Sequence, residues 1–368
     1  MLLFMFPTRS IAFMNLYLSC VFSIGAVLGA IVLPSYFSIE QDGRSLSLGN
    51  MGNVNTQTQD AQFAQGVTTD RSSVTIARLL FVGDIMLARG VEWRIGKTSL
   101  TYPLSDITDY LSAPDLTIGN FEGTIRDTPN QELDGFTFDT TPAIAQTIAD
   151  AGIDFVSLSN NHSDNYGSTV VASTRSTIAS LGMTPFGDPY VSKDFIGHAT
   201  INGIAISFIG FHAFGEEPES IVDSIKAEKA AGNFVIIFPH WGNEYQNTPS
   251  AAQTDAAHLF IDSGADAIIG AHPHVIQTYE NYKGAPIIYS LGNFLFDQSW
   301  SVPTSQGLTL GFDIDAESIT MSFAPISITK EHVTLMNTDD AAKILSEHNL
   351  PLVLKISRPV VQNTAEQQ

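Results

Sequence analysis

The sequence predicts an α/β domain, built on a partly parallel sheet with helices on both faces, behind one apolar N-terminal segment. Three observations predict it. From residue 76 onward, short apolar runs alternate with stretches of helical spacing, the pattern that builds such sheets. Several of these runs end in a small residue or proline followed by Asp, Asn, Glu or His. That places polar residues at the carboxyl ends of strands, where sheets of this kind bind ligands. Finally, no charged residue occurs between Arg9 and Glu40.

Within that uncharged span, residues 11–37 are long enough to cross a hydrocarbon core of about 30 Å. Residues 1–10 carry a single charge, Arg9, which the positive-inside rule assigns to the cytoplasmic side. The expectation is a single-pass protein of the cell membrane with its C-terminal domain extracytoplasmic and its N-terminal helix as the membrane contact. A cleaved signal peptide is the alternative, with Ala26-Val27-Leu28-Gly29-Ala30 supplying small residues for cleavage. Either reading exports the rest of the chain. Residues 38–75 are rich in Asn, Gln, Ser, Thr, Gly and Asp without hydrophobic periodicity and read as a flexible polar linker. Residues 76–330 read as the folded domain and 331–368 as a C-terminal extension. The one cysteine, Cys20, lies in the apolar segment, so no internal disulfide forms, which suits an exported protein without requiring one.

Composition narrows the function. With 44% hydrophobic residues among 368, the chain has material for a substantial core. It carries 38 acidic against 17 basic side chains, a net charge of −21. Nucleic acids require a basic footprint, so they are not expected partners. A polyanion would have to be handled through a bound cation or a local Arg/Lys pocket.

In chain order, residues 76–82 read as a strand entering Gly83-Asp84, and 115–119 as a strand entering Asn120. Residues 141–151 read as a helix, 153–158 as a strand ending at Asn160, and 167–181 as a helix. Residues 199–209 form a hairpin around Asn202-Gly203, a strong turn signal. Residues 217–231 read as a helix, 234–238 as a strand entering His240, 250–263 as a helix, and 265–269 as a strand entering His272. A further strand, 286–290, precedes Gly292-Asn293-Phe294, and 308–314 with 319–328 form a β pair.

Five strand ends share one layout: Phe81-Val82-Gly83-Asp84, Ile118-Gly119-Asn120-Phe121-Glu122, Leu158-Ser159-Asn160-Asn161-His162, Ile237-Phe238-Pro239-His240-Trp241-Gly242 and Gly270-Ala271-His272-Pro273-His274. Carboxylates and amide carbonyls supply hard oxygen ligands and neutral imidazoles supply nitrogen. Mixed sets of this kind suit Mn, Fe, Zn or similar divalent ions. The glycines are expected to let the backbone turn sharply beside the ion. Each feature alone is an ordinary loop; together they point to a metal or anion site. His198, His212, His258, His332 and His348 lack this context and read as structural or surface residues, His212 being the nearest to the pattern.

Together, Gly83-Asp84-Ile85-Met86-Leu87-Ala88-Arg89, Asn120-Phe121-Glu122, Asn160-Asn161-His162 with Tyr166-Gly167, His240-Trp241-Gly242-Asn243-Glu244-Tyr245, Gly270 to Gln277, and Lys283-Gly284 with Ile287 to Asp297 resemble the bacterial capsule synthesis protein CapA family over residues 79–311. The resemblance implies a calcineurin-like metallophosphoesterase fold, a β-sandwich flanked by helices. It also implies a membrane-anchored role in capsule or poly-γ-glutamate synthesis or export, beside polymer synthase or export subunits. By motif, Asp84 and His274 would serve a first divalent ion, Asn161, His240 and His272 a second, and Glu122 would bridge them. His162 would be the general acid, Arg89 a further catalytic group, and Asn120 and Asn293 substrate contacts. Met86 stands where the wider superfamily has a histidine ligand, so one or two ions are expected. Asn165, with Asp164 before it, stands where the family has an aspartate. Arg89 pairs either a substrate anion or a neighbouring carboxylate. A non-catalytic accessory subunit that keeps the fold and a metal site is the alternative to a metal-dependent hydrolase.

Overall fold

The computed structural model of the chain describes residues 76–129 and 135–357. The apolar segment 11–37 and the linker 38–75 lie outside the described residues, among which no helix is long and apolar enough to cross a membrane.

The chain builds one sheet, then a second, then returns to the first. β1 (Ala77–Ile85), β2 (Leu116–Phe121), a small parallel ladder of β3 (Thr124–Ile125) and β4 (Asp139–Thr140), β5 (Phe155–Ser157) and β6 (Thr184–Phe186) come first. β7 (Gly197–Ile201), β8 (Ile204–His212), β9 (Phe234–His240), β10 (Ala267–Ile269), β11 (Tyr279–Tyr282) and β12 (Ala285–Ile288) form the second sheet, in the order β11-β12-β10-β9-β8-β7. The chain then returns with β13 (Asn293–Leu295), β14 (Gln306–Ile314), β15 (Ser318–Thr329), β16 (His332–Leu335) and β17 (Val353–Ser357). The first sheet runs β16-β15-β14-β1-β2-β5-β6, with β13 on β1 and β17 on β15. Its β1-β2-β5-β6 half is parallel and its β14-β15-β16 half antiparallel.

This is a mixed α/β fold, and strand–helix alternation alone misjudged its layering. Instead of one sheet covered by helices on both faces, two sheets pack against each other and each carries helices on its outer face. The period-2 alternation of β1 shows why. Leu79 and Phe81 face the other sheet, while Leu80 and Val82 face the helices. Between the sheets Phe81 meets Phe238 at 6.2 Å and Phe312 edge-on at 5.9 Å. Each such ring contributes roughly 1.5–3 kcal/mol through burial.

On the outer face of the first sheet, α1 (Arg89–Lys97), α2 (Thr108–Leu111), α3 (Pro142–Asp150) and α4 (Ser168–Ser180) bury Val91, Ile95, Leu111, Ile144, Ile148 and Ile178. On the second, α5 (Val222–Ala230) and α6 (Ala251–Asp262) bury Ile225, Ala257 and Phe260. The starts of α3 and α6 are set locally. Thr141 accepts from the Ile144 N–H ahead of Pro142, and Ser250 and Gln253 form a capping box. Past the boundary expected at 330, β16, α7 (Thr338–Glu347) and β17 continue the same unit: Ile344, Leu345 and Ile356 belong to the core between the sheets.

Candidate metal centre

The carboxyl ends of the parallel strands from both sheets meet at one end of the sandwich. β1 brings Asp84 there, the turn after β2 brings Glu122, and the loop after β5 brings Asn160, Asn161 and His162. From the second sheet come His240, which ends β9, and His272 and His274 after β10. The β9–β10 pairing extends to a bridge between His240 and Ala271, and the sheets join here through the His272 N–H, which donates to Asp84 Oδ2 at 3.2 Å.

Asp84, Glu122 and His240 bring ligand atoms within 4.8 Å of one another. His240 Nε2 lies 2.8 Å from Asn161 Oδ1 and 2.9 Å from His272 Nδ1. His274 Nδ1 lies 2.9 Å from Asn293 Oδ1 and 3.3 Å from Asp84 Oδ2, and its Nε2 is 3.7 Å from Glu122 Oε1. Asn120 and Asn293, expected to touch substrate, are buried at 1% and 0% exposure and spend their amides on the ligands instead. Asn120 Nδ2 donates to Asp84 Oδ1 at 2.8 Å and sits 3.2 Å from His240 Nδ1. Asn160 Nδ2 holds Asn120 Oδ1 at 3.0 Å, which fixes that amide's orientation. These asparagines fix the orientation of the candidate ligands, an arrangement that outer groups provide in metal centres.

A metal fits this set. Glu122 is 1% exposed, and its Oε1 is buried without a hydrogen-bond partner. A carboxylate oxygen in that state is costly unless a cation meets it. His272 is pushed down to about 3 and His240 well below the ordinary imidazole range, both chiefly by burial. Both are therefore neutral, the form that ligates. Burial also raises Glu122 to about 8. Burial works against charge on His274, but the Glu122 and Asp84 carboxylates prevail and raise it to about 9. His274 is thus the cation that both carboxylates approach in the metal-free protein.

His162 stacks on Phe138 at 3.9 Å and places Nε2 3.8 Å from Glu122 Oε1. Its Nδ1 is 3.1 Å from Asn165 Oδ1, so an amide holds the ring. Burial lowers its pKa to about 4. Arg89 takes the neighbouring carboxylate: it pairs with Asp297 at 2.5 Å, donates to the Gly135 carbonyl and lies over the Phe138 ring. Met86 is fully buried among the residues under the helices, and its sulfur accepts the Ala88 N–H at 3.0 Å. His212 ends β8 beside His240 and has a buried, unpartnered Nε2.

The glycines serve mainly close approach. A Cβ at Gly83 would stand 1.9 Å from the Gly292 carbonyl oxygen, and one at Gly270 2.1 Å from that of Tyr289; neither has a positive φ. Gly242 and Gly292 do turn the chain with positive φ (90° and 73°), and side-chain-bearing residues share that conformation: Arg89 (49°), Tyr245 (61°), His272 (96°) and His274 (57°). Strain of this kind collects at functional sites.

A family model described as bacterial capsule synthesis protein PGA_cap matches residues 78–298. The chain belongs to this family. The matched segment holds every candidate ligand from Asp84 to Asn293. Among the family's relatives, the capsule biosynthesis protein CapA of Bacillus anthracis is 30% identical over 278 residues, covering 68% of this chain and 67% of that protein. The PGA biosynthesis protein CapA of Bacillus subtilis (strain 168) is 30% identical over 241 residues, covering 60% and 63%. The chain thus spans about two thirds of the length of these relatives. A looser likeness in shape is to TT1561 of Thermus thermophilus, with a TM-score of 0.40 and 10% identity over 64% of this chain and 94% of that one.

Proposed function

We propose that this capsule-synthesis family member is a metal-dependent hydrolase of the metallophosphoesterase type, held at the outer face of the cell membrane by residues 11–37. It would act in capsule or poly-γ-glutamate synthesis or export beside subunits of a polymer synthase or exporter. The observation that carries the reading is the buried convergence of Asp84, Glu122 and His240, with the orphaned Glu122 oxygen at its centre. Asp84 and His274 would hold one ion, Asn161, His240 and His272 the other, with Glu122 shared. A divalent ion (Mn, Fe or Zn) supplies Lewis-acid polarisation of a phosphoryl or acyl oxygen. Asn120 and Asn293 fix the ligand side chains. His162 moves a proton at Nε2, since Nδ1 is engaged by Asn165. Arg89, committed to Asp297, carries no step in this reading.

The test uses the purified full chain. Elemental analysis is expected to give one or two divalent ions per chain. Hydrolysis of an aryl phosphodiester is expected to fall roughly 10²- to 10⁴-fold in His162→Ala, with metal content kept. A chain without stoichiometric metal, or turnover indifferent to His162, would sink the proposal. Met86 favours a second reading, because a thioether buried under the helices leaves the first half-site short of a ligand. In that reading the chain is a non-catalytic accessory subunit, and metal-dependent turnover by the isolated chain rules it out.

A further inference from the structure

Beside the candidate metal centre stands an aromatic pair that the centre itself leaves unused. Tyr245 and Trp300 are 40% and 63% exposed, and their rings meet edge to face at 4.8 Å and 82°. The pair is tied to the centre through Tyr245. Its N–H donates to the Pro273 carbonyl at 2.8 Å, between His272 and His274, and its ring lies 6.1 Å from that of His274. Buried Gln277 holds the same loop by donating to the carbonyls of Gln246 (2.8 Å) and Thr248 (3.3 Å). The Tyr245 hydroxyl accepts from Gln298 Nε2 at 3.2 Å, Gln298 Oε1 accepts from Asn293 Nδ2 at 3.1 Å, and Asn293 Oδ1 meets His274 Nδ1 at 2.9 Å. Tyr245 also holds φ 61°, a conformation that persists where the surroundings over-determine it. Large aromatic rings left in water, yet fixed this firmly beside a concave polar centre, mark a contact surface for a ligand.

The geometry narrows the ligand. Two rings at 82° form an open corner and not a slot, so a ligand meets one ring face at a time instead of being sandwiched between two. An aromatic face is the negative part of the ring, and its complement is a surface of slightly positive C–H bonds. The exposed side chains that flank the pair in sequence, Asn243, Glu244, Gln246 and Ser299, are neutral or acidic. Arg89, at the same end of the sandwich, is spent on Asp297. An anionic polymer segment finds no countercharge in these neighbours, whereas a hydroxylated ring finds hydrogen-bond partners. A pyranose has both features: C–H bonds on one face and hydroxyls around its edge. We infer that Tyr245 and Trp300 form a stacking subsite for a sugar ring carried on the scissile phosphoryl group, which makes the substrate class a glycosyl phosphate ester. The inference rests on the metal centre of the proposed function and names the substrate class of that site.

The test is calorimetric titration of the Mn²⁺-loaded full chain with glucose 1-phosphate, phenyl phosphate and glycerol phosphate, which carry a sugar ring, an aromatic ring and no ring. Glucose 1-phosphate binds roughly 10-fold more tightly than either of the others, a preference of the size of one aromatic contact. Trp300→Ala abolishes the preference and Trp300→Phe keeps part of it. Both variants take up Mn²⁺ and bind glycerol phosphate as the wild-type chain does. Circular dichroism should show a native fold in each, since Trp300 is exposed. Equal affinity for the sugar and glycerol phosphates, a preference for phenyl phosphate, or a sugar preference that survives Trp300→Ala overturns this inference alone. A chain that takes up Mn²⁺ but binds none of the three phosphates overturns it together with the phosphoesterase reading. A chain that takes up no Mn²⁺ overturns the metal centre as well.

Discussion

His162 is held by an amide. Asn165 Oδ1 faces its Nδ1 and also accepts the Phe138 N–H at 2.8 Å, while Asp164, the nearest carboxylate in sequence, acts on Tyr190 and His212 instead. With no negative charge behind the ring, burial dominates and keeps the imidazole neutral. Asn165→Asp supplies that charge and should move the His162 titration upward from about 4, as a carboxylate beside an imidazole does. Histidine NMR titration of the metal-free chain measures this; an unmoved His162 signal would show that Asn165 does not set its protonation. At this scale the sequence was informative about residue type and less so about duty. Asp84, Glu122, His240 and His272 stand out because hard and imidazole donors follow apolar runs. Asn120 and Asn293 carry the same donor groups, and only the packing of two sheets reveals that they face ligands. Tyr245 was visible within a motif, but its placement depends on a hydrogen-bond path through Asn293 and Gln298, far along the chain.

The elements were legible wherever apolar runs were long or their caps explicit. β1, β2, β5, β9, β10 and β12 and α3, α4 and α6 follow the expected spans to within a few residues, the strands β3, β4, β6 and β13, two or three residues each, gave no pattern to read, and the β7–β8 hairpin turns at Asn202-Gly203. α1 escaped notice because it buries only Val91 and Ile95. The β15–β16 turn is made by Lys330 and Glu331 at φ 53° and 54°, residues that give no turn signal, so the strands and helix beyond it were not anticipated. Close approach between elements was equally hidden. Gly270 lets β10 lie against the Tyr289 carbonyl, which also accepts the Trp241 indole N–H at 2.9 Å. Gly270→Ala should therefore force these segments apart and cost roughly 1–3 kcal/mol, as overpacking does. Thermal unfolding of the variant checks this, and an unchanged melting temperature would count against the contact.

Taken whole, the metal-free molecule is caught between two titrations. His162, His240 and His272 have folded pKa values below the ordinary 6.5, at about 4, well below, and about 3. The unfolded chain protonates first, so their contribution is present above pH 6.5 and lost as pH falls towards 3. Glu122 and His274 are raised, to about 8 and about 9. Their contribution is present at low pH and lost as pH rises through those values. The metal-free chain should therefore melt highest near mildly acidic pH. A divalent ion replaces the protons on the Glu122–His274 pair, so it should release protons on binding at neutral pH and lift the alkaline side selectively. Melting curves from pH 4 to 10, with and without Mn²⁺, test this; equal stabilisation at every pH would contradict it.

The ligands are also widely spread along the chain. His272 donates its backbone N–H to a carboxylate 188 residues earlier, and His274 and Asn293 follow later still. No half-length nascent chain contains the centre, so metal loading, under the proposed function, would be a late event, confined to molecules whose two sheets have already closed. For a domain delivered across a membrane, the ion would then be drawn from the compartment where folding finishes rather than the one where synthesis begins.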